Sequence, residues 1–320
     1  MKWARRLRVK HLQLLVTLGE TGSLSETARL THTTQPALSR WLKDLEDDAK
    51  GLIFERHARG LSPTVIGEML IAHAKRILTE TDRAQQNLNA VINGQARTII
   101  VGTSPASAPS FVPGTLSRFL AMFPSARVEL YESTMDSLMS KLKLGQLDLI
   151  IGRLDNYKPD GELQSELLYE EQLKVVTRLT HPLASQAQVH WEEVYQYDWI
   201  VWPMGTPIRS KLDQALTVAG RKPPVYRVES NSQVGNLWLL QNTDMISIVS
   251  ESVAAHFNER GLLKALNIDL GTDAGIVGMV WREQAQPDQL MEQLIECCRE
   301  ASQCLLSSYS NTCPPLNLSG

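Results

Sequence analysis

Cysteine is scarce: four in 320 residues, two of them adjacent at Cys297 and Cys298. Such a number makes no disulfide framework and suits small buried side chains or tail thiols. No apolar run approaches the roughly 18 residues needed to cross a bilayer as a helix. The start, MKWARRLRVKHLQLLVTLGE, turns from basic to apolar. His11 and Gln13 break the apolar run and no small-residue cleavage site follows, which argues against a secretory signal. The loops that many enzymes require are missing too, with no Gly-x-Ser-x-Gly, phosphate loop or Gly-x-Gly-x-x-Gly. The seven histidines include no His-x-x-x-His pair and none accompanies a Cys-x-x-Cys, so neither a metal site nor a cofactor is expected. These absences point to a cytoplasmic protein without membrane association, long enough for two or three domains.

Charge is small overall, at −3, but unevenly spread. Residues 1–76 hold 13 Lys and Arg against 8 Asp and Glu, a net of +5, which leaves −8 on the remainder. A basic module on an acidic body suggests a polyanionic partner for the module alone. Within it the apolar spacing predicts a first helix over 9–18, stopped near Gly19 and Gly22. Ser23-Leu24-Ser25-Glu26 matches a capping box, in which the Ser oxygen takes an orphan amide and the Glu reaches back. A second short helix follows through Ala28 and Leu30. Thr33 or Thr34 caps a third, with Pro36 in its first turn. At about 100° per residue Leu38, Trp41, Leu42 and Leu45 share one stripe of that helix. Pro36, Ser39, Arg40 and Lys43 point nearly opposite, flanked by Gln35.

Two short helices, a tight turn and a helix offering polar side chains near its N-terminus form a helix-turn-helix, whose second helix fits the DNA major groove. Thr34, Gln35, Pro36, Ser39, Arg40 and Lys43 are the candidate contacts, with Gln suited to adenine, Arg to guanine and Lys43 to phosphate. Periodicity alone also fits a plain three-helix core with a solvated face. The next stretch, GLIFERHARGLSPTVIGE (51–68), reads as strand, basic turn, strand and a helix from Thr64. A hairpin carrying Arg56, His57 and Arg59 beside such a helix is a wing, placed to meet the phosphate backbone or the minor groove. From 64 to 93 runs one helical pattern about 45 Å long. Ile66, Leu70, His73, Ile77, Glu80, Ala84, Leu88 and Val91 fall at steps of three and four along it. That is a loose coiled-coil seam, with Ile66, Leu70, Ile77 and Leu88 as dimerisation residues. A helix packed only on its own domain is the alternative.

From Arg97 the period changes. Short apolar strands (TIIVG, RVELYE, LDLIIG, LKVVTR, WIVW, VYRVE, MISIVS and GIVGMVW) alternate with helices near 111–123, 135–144, 208–219, 233–241 and 288–305. Such alternation predicts an α/β body with a mainly parallel sheet.

The capping box, TTQPALSRWLKDLE, FERHARG and the long helix together resemble the amino-terminal module of LysR-type transcriptional regulators. LKLGQLDLIIG (142–152) is similar to a signature of the same family's second domain. At LLQNTDMISIVS the chain departs from many members, with Asn242, Thr243, Asp244 and Ser250 where Gly-x-Gly and a proline are usual. The resemblance implies a multidomain fold: an all-α-rich winged helix-turn-helix (1–63), a long linker and dimerisation helix (64–93), and an α/β two-lobed type 2 periplasmic-binding-protein-like effector domain (97–306). Lobe I would span about 97–167 and 269–306, and lobe II 168–268, with a disordered tail at 307–320. It also implies a mechanism. Dimers pair into tetramers on double-stranded DNA, a small-molecule effector held between the lobes shifts the assembly, and RNA polymerase is recruited or released.

Ligands of open α/β sheets sit past the carboxyl ends of strands, near helix N-termini. Ser104, Ser133, Thr134, Thr206, Ser230 and Asn231 occupy such loops and are the candidate effector-binding residues. Hydroxyls at convergent helix N-termini suit a small anion such as an organic acid. Each is also readable as a simple helix cap. Arg153 and Arg209 stand nearby as cations that either neutralise an acid or face solvent. Two functions therefore remain open: a ligand-controlled DNA-binding regulator, or an α/β binding protein or enzyme in which residues 1–93 serve only for oligomerisation. Salt-sensitive duplex binding separates them.

Overall fold

Leu12, Leu14, Leu15 and Leu18 put one apolar face on α1 (Val9–Thr21). The helix runs past its expected end because Gly19 leaves room for a neighbour: a Cβ there would lie 2.7 Å from Ile71 Cδ1. Gly22, at φ +60°, closes it by donating its amide N–H to Leu18 O. α2 (Leu24–Leu30) starts at Ser23, whose Oγ accepts from Glu26 N at 3.3 Å. Only that half of the expected capping box forms. The Glu26 carboxylate turns to Arg29, and the Ser23 amide bonds Thr21 Oγ1 instead. Thr34 caps α3 (Gln35–Ala49), which buries Leu38, Leu42 and Leu45 and half-buries Trp41.

A two-stranded antiparallel hairpin follows, β1 (Phe54–His57) against β2 (Gly60–Pro63). Glu46 of α3 fixes its approach, with Oε1 accepting from Ile53 N at 2.8 Å and Phe54 N at 3.1 Å. Thr64 then starts α4 (Val65–Ile92), 28 residues and about 42 Å long. The structure, a computed structural model, describes residues 7–58, 60–93, 97–155, 157, 163–271, 274–283 and 288–308, and the chain divides into two compact units, one of residues 1–97 with Lys143–Gln146 and one of the remainder.

The second unit holds two five-stranded sheets. The first has the order β4-β3-β5-β12-β6, from β3 (Thr98–Thr103), β4 (Arg127–Glu132), β5 (Leu149–Arg153), β6 (Leu163–Glu171) and β12 (Gly275–Arg282). α5 (Phe111–Met122), α6 (Met135–Lys143) and α11 (Gln289–Ser308) complete this lobe. The second sheet has the order β11-β7-β10-β8-β9, from β7 (Leu173–Thr177), β8 (Trp199–Val201), β9 (Tyr226–Glu229), β10 (Ile246–Ser250) and β11 (Lys264–Ala265). It carries α7 (Trp191–Val194), α8 (Pro207–Val218), α9 (Gln233–Asn242) and α10 (Glu251–Glu259).

Neither sheet is mainly parallel. In each, one strand returning from the other lobe adds antiparallel neighbours: β12 beside β5 and β6, and β7 beside β10 and β11. The lobe boundary also moves. β6 pairs with β12 as far as Glu171↔Gly275, so residues 168–171 stand in the first sheet rather than the second lobe. Cys297 and Cys298 are buried in the core of the first lobe, where burial raises both thiol pKa values and leaves them as packing groups. The expected disordered tail, 307–320, begins inside α11, and 309–320 lie outside the described residues.

Gly67 marks where α4 crosses the hairpin, since a Cβ there would fall 2.1 Å from Ile53 O. Gly67→Ala is expected to destabilise the winged unit by about 1–3 kcal/mol through overpacking. Gly114→Ala, whose Cβ would meet nothing within 4 Å, should stabilise by up to about 1 kcal/mol through helix propensity. Denaturation midpoints moving in the same direction for both variants would refute this packing account.

Candidate functional site

In the first unit the polar face of α3 is open. Thr34, Gln35, Pro36, Arg40 and Lys43 are exposed, Ser39 is half-buried, and Arg56 and His57 are exposed on β1. Arg59 lies outside the described residues. Among the described residues no ion pair engages Arg40, Lys43 or Arg56, so their charge is available to a partner. Sequence reasoning overlooked Glu46, whose carboxylate fixes the hairpin against α3 through two amides.

α4 has two apolar faces. Ile71, Ala74 and Leu78 pack on the winged core, and Leu70 is half-buried with them, so this expected seam residue also serves its own domain. Ile66, Ile77 and Leu88 remain exposed, Leu88 at 60%. Met69, which the seam assignment omitted, is exposed as well. With Leu70 and Ile77 it lines a groove of about 510 Å³ whose other wall includes Val9, Leu15 and Trp41.

In the second unit a cavity of about 470 Å³ opens between the lobes. Ser104, Thr134, Thr206 and Asn231 meet on its wall, as the loop argument predicts. Ser133 and Ser230 are not part of it. The Ser133 amide continues the strand pairing to Thr103 O, and Ser230 Oγ accepts from Ser232 N in its own turn. Ser104 is buried and accepts from Arg153 N at 3.3 Å. Thr206 stands at the N-cap of α8 but sends its hydroxyl to Pro203 O, so no side chain caps that helix.

The rest of the wall is largely apolar, with Met135, Met139, Trp202, Met204 and Ile208. Apolar spacing in sequence does not reveal which apolar residues turn to a cleft. Both arginines are buried rather than solvated. Arg209 lies off the wall, bonded to Asp213 at 2.8 Å and stacked 4.4 Å from the Tyr226 ring centroid. Burial, with Asp213 nearby, pushes the Tyr226 phenol up to about 12. Arg153 is on the wall.

Several polar bridges cross between the lobes, among them Ser252 N to Glu171 Oε2 at 3.1 Å and Ser110 Oγ to Ser252 Oγ at 3.2 Å. Lys211 of α8 pairs with Asp155 at 3.3 Å, and Ser250 Oγ donates to Ala106 O at 3.3 Å. Proline at position 250 would lack that hydroxyl, so the departure noted at this position has a structural use.

Among the described residues no group of three or more His, Cys, Asp or Glu is placed to hold a metal ion, and no helix is long and apolar enough to cross a membrane. Residues 9–68 match the family described as bacterial regulatory helix-turn-helix protein, lysR family, and residues 93–303 match the LysR substrate binding domain. The chain is 28% identical over 298 residues to the HTH-type transcriptional regulator PcaQ of Agrobacterium fabrum, covering 93% of this chain and 96% of that one. It is 30% identical over 293 residues to the HTH-type transcriptional regulator GalR of Pseudomonas putida, covering 92% and 74%. Its fold is similar to the crystal structure of CbnR, a LysR family transcriptional regulator, at TM-score 0.64 and 20% identity over 92% of this chain and 99% of that one. These relatives are regulators, not enzymes, and the matches span both the winged unit and the two-lobed unit: the chain belongs to the LysR family of bacterial helix-turn-helix transcriptional regulators.

Proposed function

We propose that this regulator reads a double-stranded operator with α3 and the hairpin, as a dimer or tetramer, in response to a small organic acid held between the lobes. The observation that carries the DNA half is the open face of α3. Gln35, Arg40 and Lys43 are exposed opposite the buried Leu38, Leu42 and Leu45 stripe, and Arg56 is exposed on the hairpin. A solved relative, full-length CbnR, was crystallised with its target DNA, which supports the same use here. Gln35 and Arg40 suit base edges, Lys43, Arg56 and Arg59 suit phosphates, and Thr34, Pro36 and Ser39 shape the contact. The setting is the cytoplasm, where RNA polymerase is the next partner.

The exposed residues Ile66, Ile77 and Leu88 support pairing of α4 helices, with Leu70 shared between that seam and its own core. For the effector, Ser104, Thr134 and Thr206 converge at the starts of α6 and α8, where free amides favour a negative charge. Asn231 shares that wall, while Ser133 and Ser230 shape the loops that carry Thr134 and Asn231.

Titrating a duplex operator against salt tests the whole reading. Log affinity should fall steeply with log salt, at about −0.9 per phosphate neutralised, and a flat response would leave residues 1–93 as an oligomerisation arm. Arg40→Ala should weaken operator binding by about 1–3 kcal/mol and scrambled DNA by much less. Equal losses on both would make it a phosphate contact. Leu88→Asp should split the dimer, since an unpaired buried carboxylate costs about 3–5 kcal/mol, and unchanged sedimentation would refute the seam. A thermal-shift screen of organic acids should find a ligand adding about 2.7 kcal/mol at 100 times its dissociation constant. Ser104→Ala and Thr134→Val should each weaken that ligand by roughly tenfold or more with operator binding intact. Parent affinity in both variants would overturn the hydroxyl assignment.

A further inference from the structure

The backbone at Ile53 is held from two sides by polar groups of two different helices. Its amide donates to Glu46 Oε1 of α3 at 2.8 Å, and the next amide, Phe54 N, donates to the same oxygen at 3.1 Å. Its carbonyl accepts from Thr64 N at 3.0 Å. Thr64 Oγ1 donates to Leu52 O at 2.7 Å, with Ile53 O 3.3 Å away as a weaker branch. The same hydroxyl oxygen caps α4 by accepting from Gly67 N at 3.1 Å. Ile53 itself is fully buried in the core of the winged unit. One residue thus joins the recognition helix, the hairpin and the long helix.

The apolar core alone does not set the angle between those helices. Burial is non-directional, so Leu42, Leu45, Leu70 and Ile71 decide which faces meet more firmly than at what angle. Hydrogen bonds weaken steeply away from linear geometry, and those to a carboxylate are stronger than neutral ones. Two amides on one carboxylate oxygen and two donors on adjoining carbonyls therefore fix segment 52–54 against both α3 and α4. There is no room to slip either, since a Cβ at Gly67 would already fall 2.1 Å from Ile53 O.

The length of α4 amplifies that angle. Leu88, on the exposed apolar edge, lies about 36 Å along the helix from Thr64. A rotation of about 5° at Thr64 displaces a point that far away by roughly 3 Å, close to one base-pair step of about 3.4 Å. Two modules paired through that edge meet half-sites one helical turn apart, or a multiple of it. An error of one step puts one recognition helix out of register.

We infer that Glu46 and Thr64 are positioning residues for DNA reading: by clamping the Ile53 backbone they set α3 against α4, and so fix the half-site spacing that a dimer accepts. Neither needs to touch DNA. The inference rests on α3 as the reader and α4 as the pairing helix.

Selection from a random duplex library on the full chain supplies the probe. Binding is then compared on the selected duplex and on the same duplex with one base pair inserted between its half-sites. The parent should prefer the selected spacing by about tenfold or more. Glu46→Ala and Thr64→Val should each cut that preference by about threefold or more. Glu46→Gln keeps the acceptor oxygen and Thr64→Ser keeps the hydroxyl, so both should retain the parent's preference. A loss of folded protein weakens both duplexes by one factor and leaves their ratio alone, so the ratio separates positioning from stability. If Glu46→Ala does not fold, Thr64→Val decides. A parental ratio in every variant that folds would overturn the inference. So would a parent indifferent to the inserted base pair, with DNA reading by α3 left standing. If no duplex is enriched, the DNA reading itself fails and the inference with it.

Discussion

One residue carries the chain from one sheet to the other. β6 ends at Glu171 and β7 begins at Leu173, so Gln172 alone spans the step. Both of its backbone groups are held by the first residue of α10. Gln172 O accepts from Glu251 N at 2.9 Å, and Gln172 N donates to Glu251 Oε2 at 3.4 Å. Two sheets joined so tightly cannot merge into one, and the face between them is left as a cleft. Everything proposed for the effector depends on that geometry. It brings the loop after β3 and the start of α6 opposite the start of α8.

The winged unit answers to a different constraint, the two-sidedness of α4. A helix buried on one face alone would end its work in the domain core. Here Ile71, Ala74 and Leu78 are spent on that core, yet Ile66, Met69, Ile77 and Leu88 stay apolar and exposed. Large apolar side chains repeated along one exposed helix edge call for a partner surface. The same helix is held at the base of the hairpin by the close approach of Gly67 to Ile53 O and by Thr64 Oγ1, which donates to Leu52 O and Ile53 O, and the hairpin is held to α3 by Glu46.

The local chemistry of the first unit was readable because it is short-range. Thr34 as a cap, Pro36 in a first turn and the Leu38, Leu42 and Leu45 stripe depend on neighbours three or four positions away. One failure was equally local and one was of long reach. The capping box at Ser23 formed only by half, because Arg29 competed for Glu26 and Thr21 for the Ser23 amide. β6 escaped notice because Glu166 and Glu170 interrupt its apolar run. The structure satisfies Glu166 with Arg299 of α11, 133 positions away.

By itself the sequence determined most of the elements, though not β6, α7, α10 or β11, together with the basic module and the loops bearing Ser104, Thr134 and Thr206, since helix and strand periods and caps are local properties. Only tertiary structure decided which of those loops share a wall, that Ser133 and Ser230 do not, and that Arg209 is engaged by Asp213 and Tyr226. These facts rest on contacts between segments tens to over a hundred residues apart. No local pattern encodes such contacts, because they are set by how two sheets pack around a one-residue crossover.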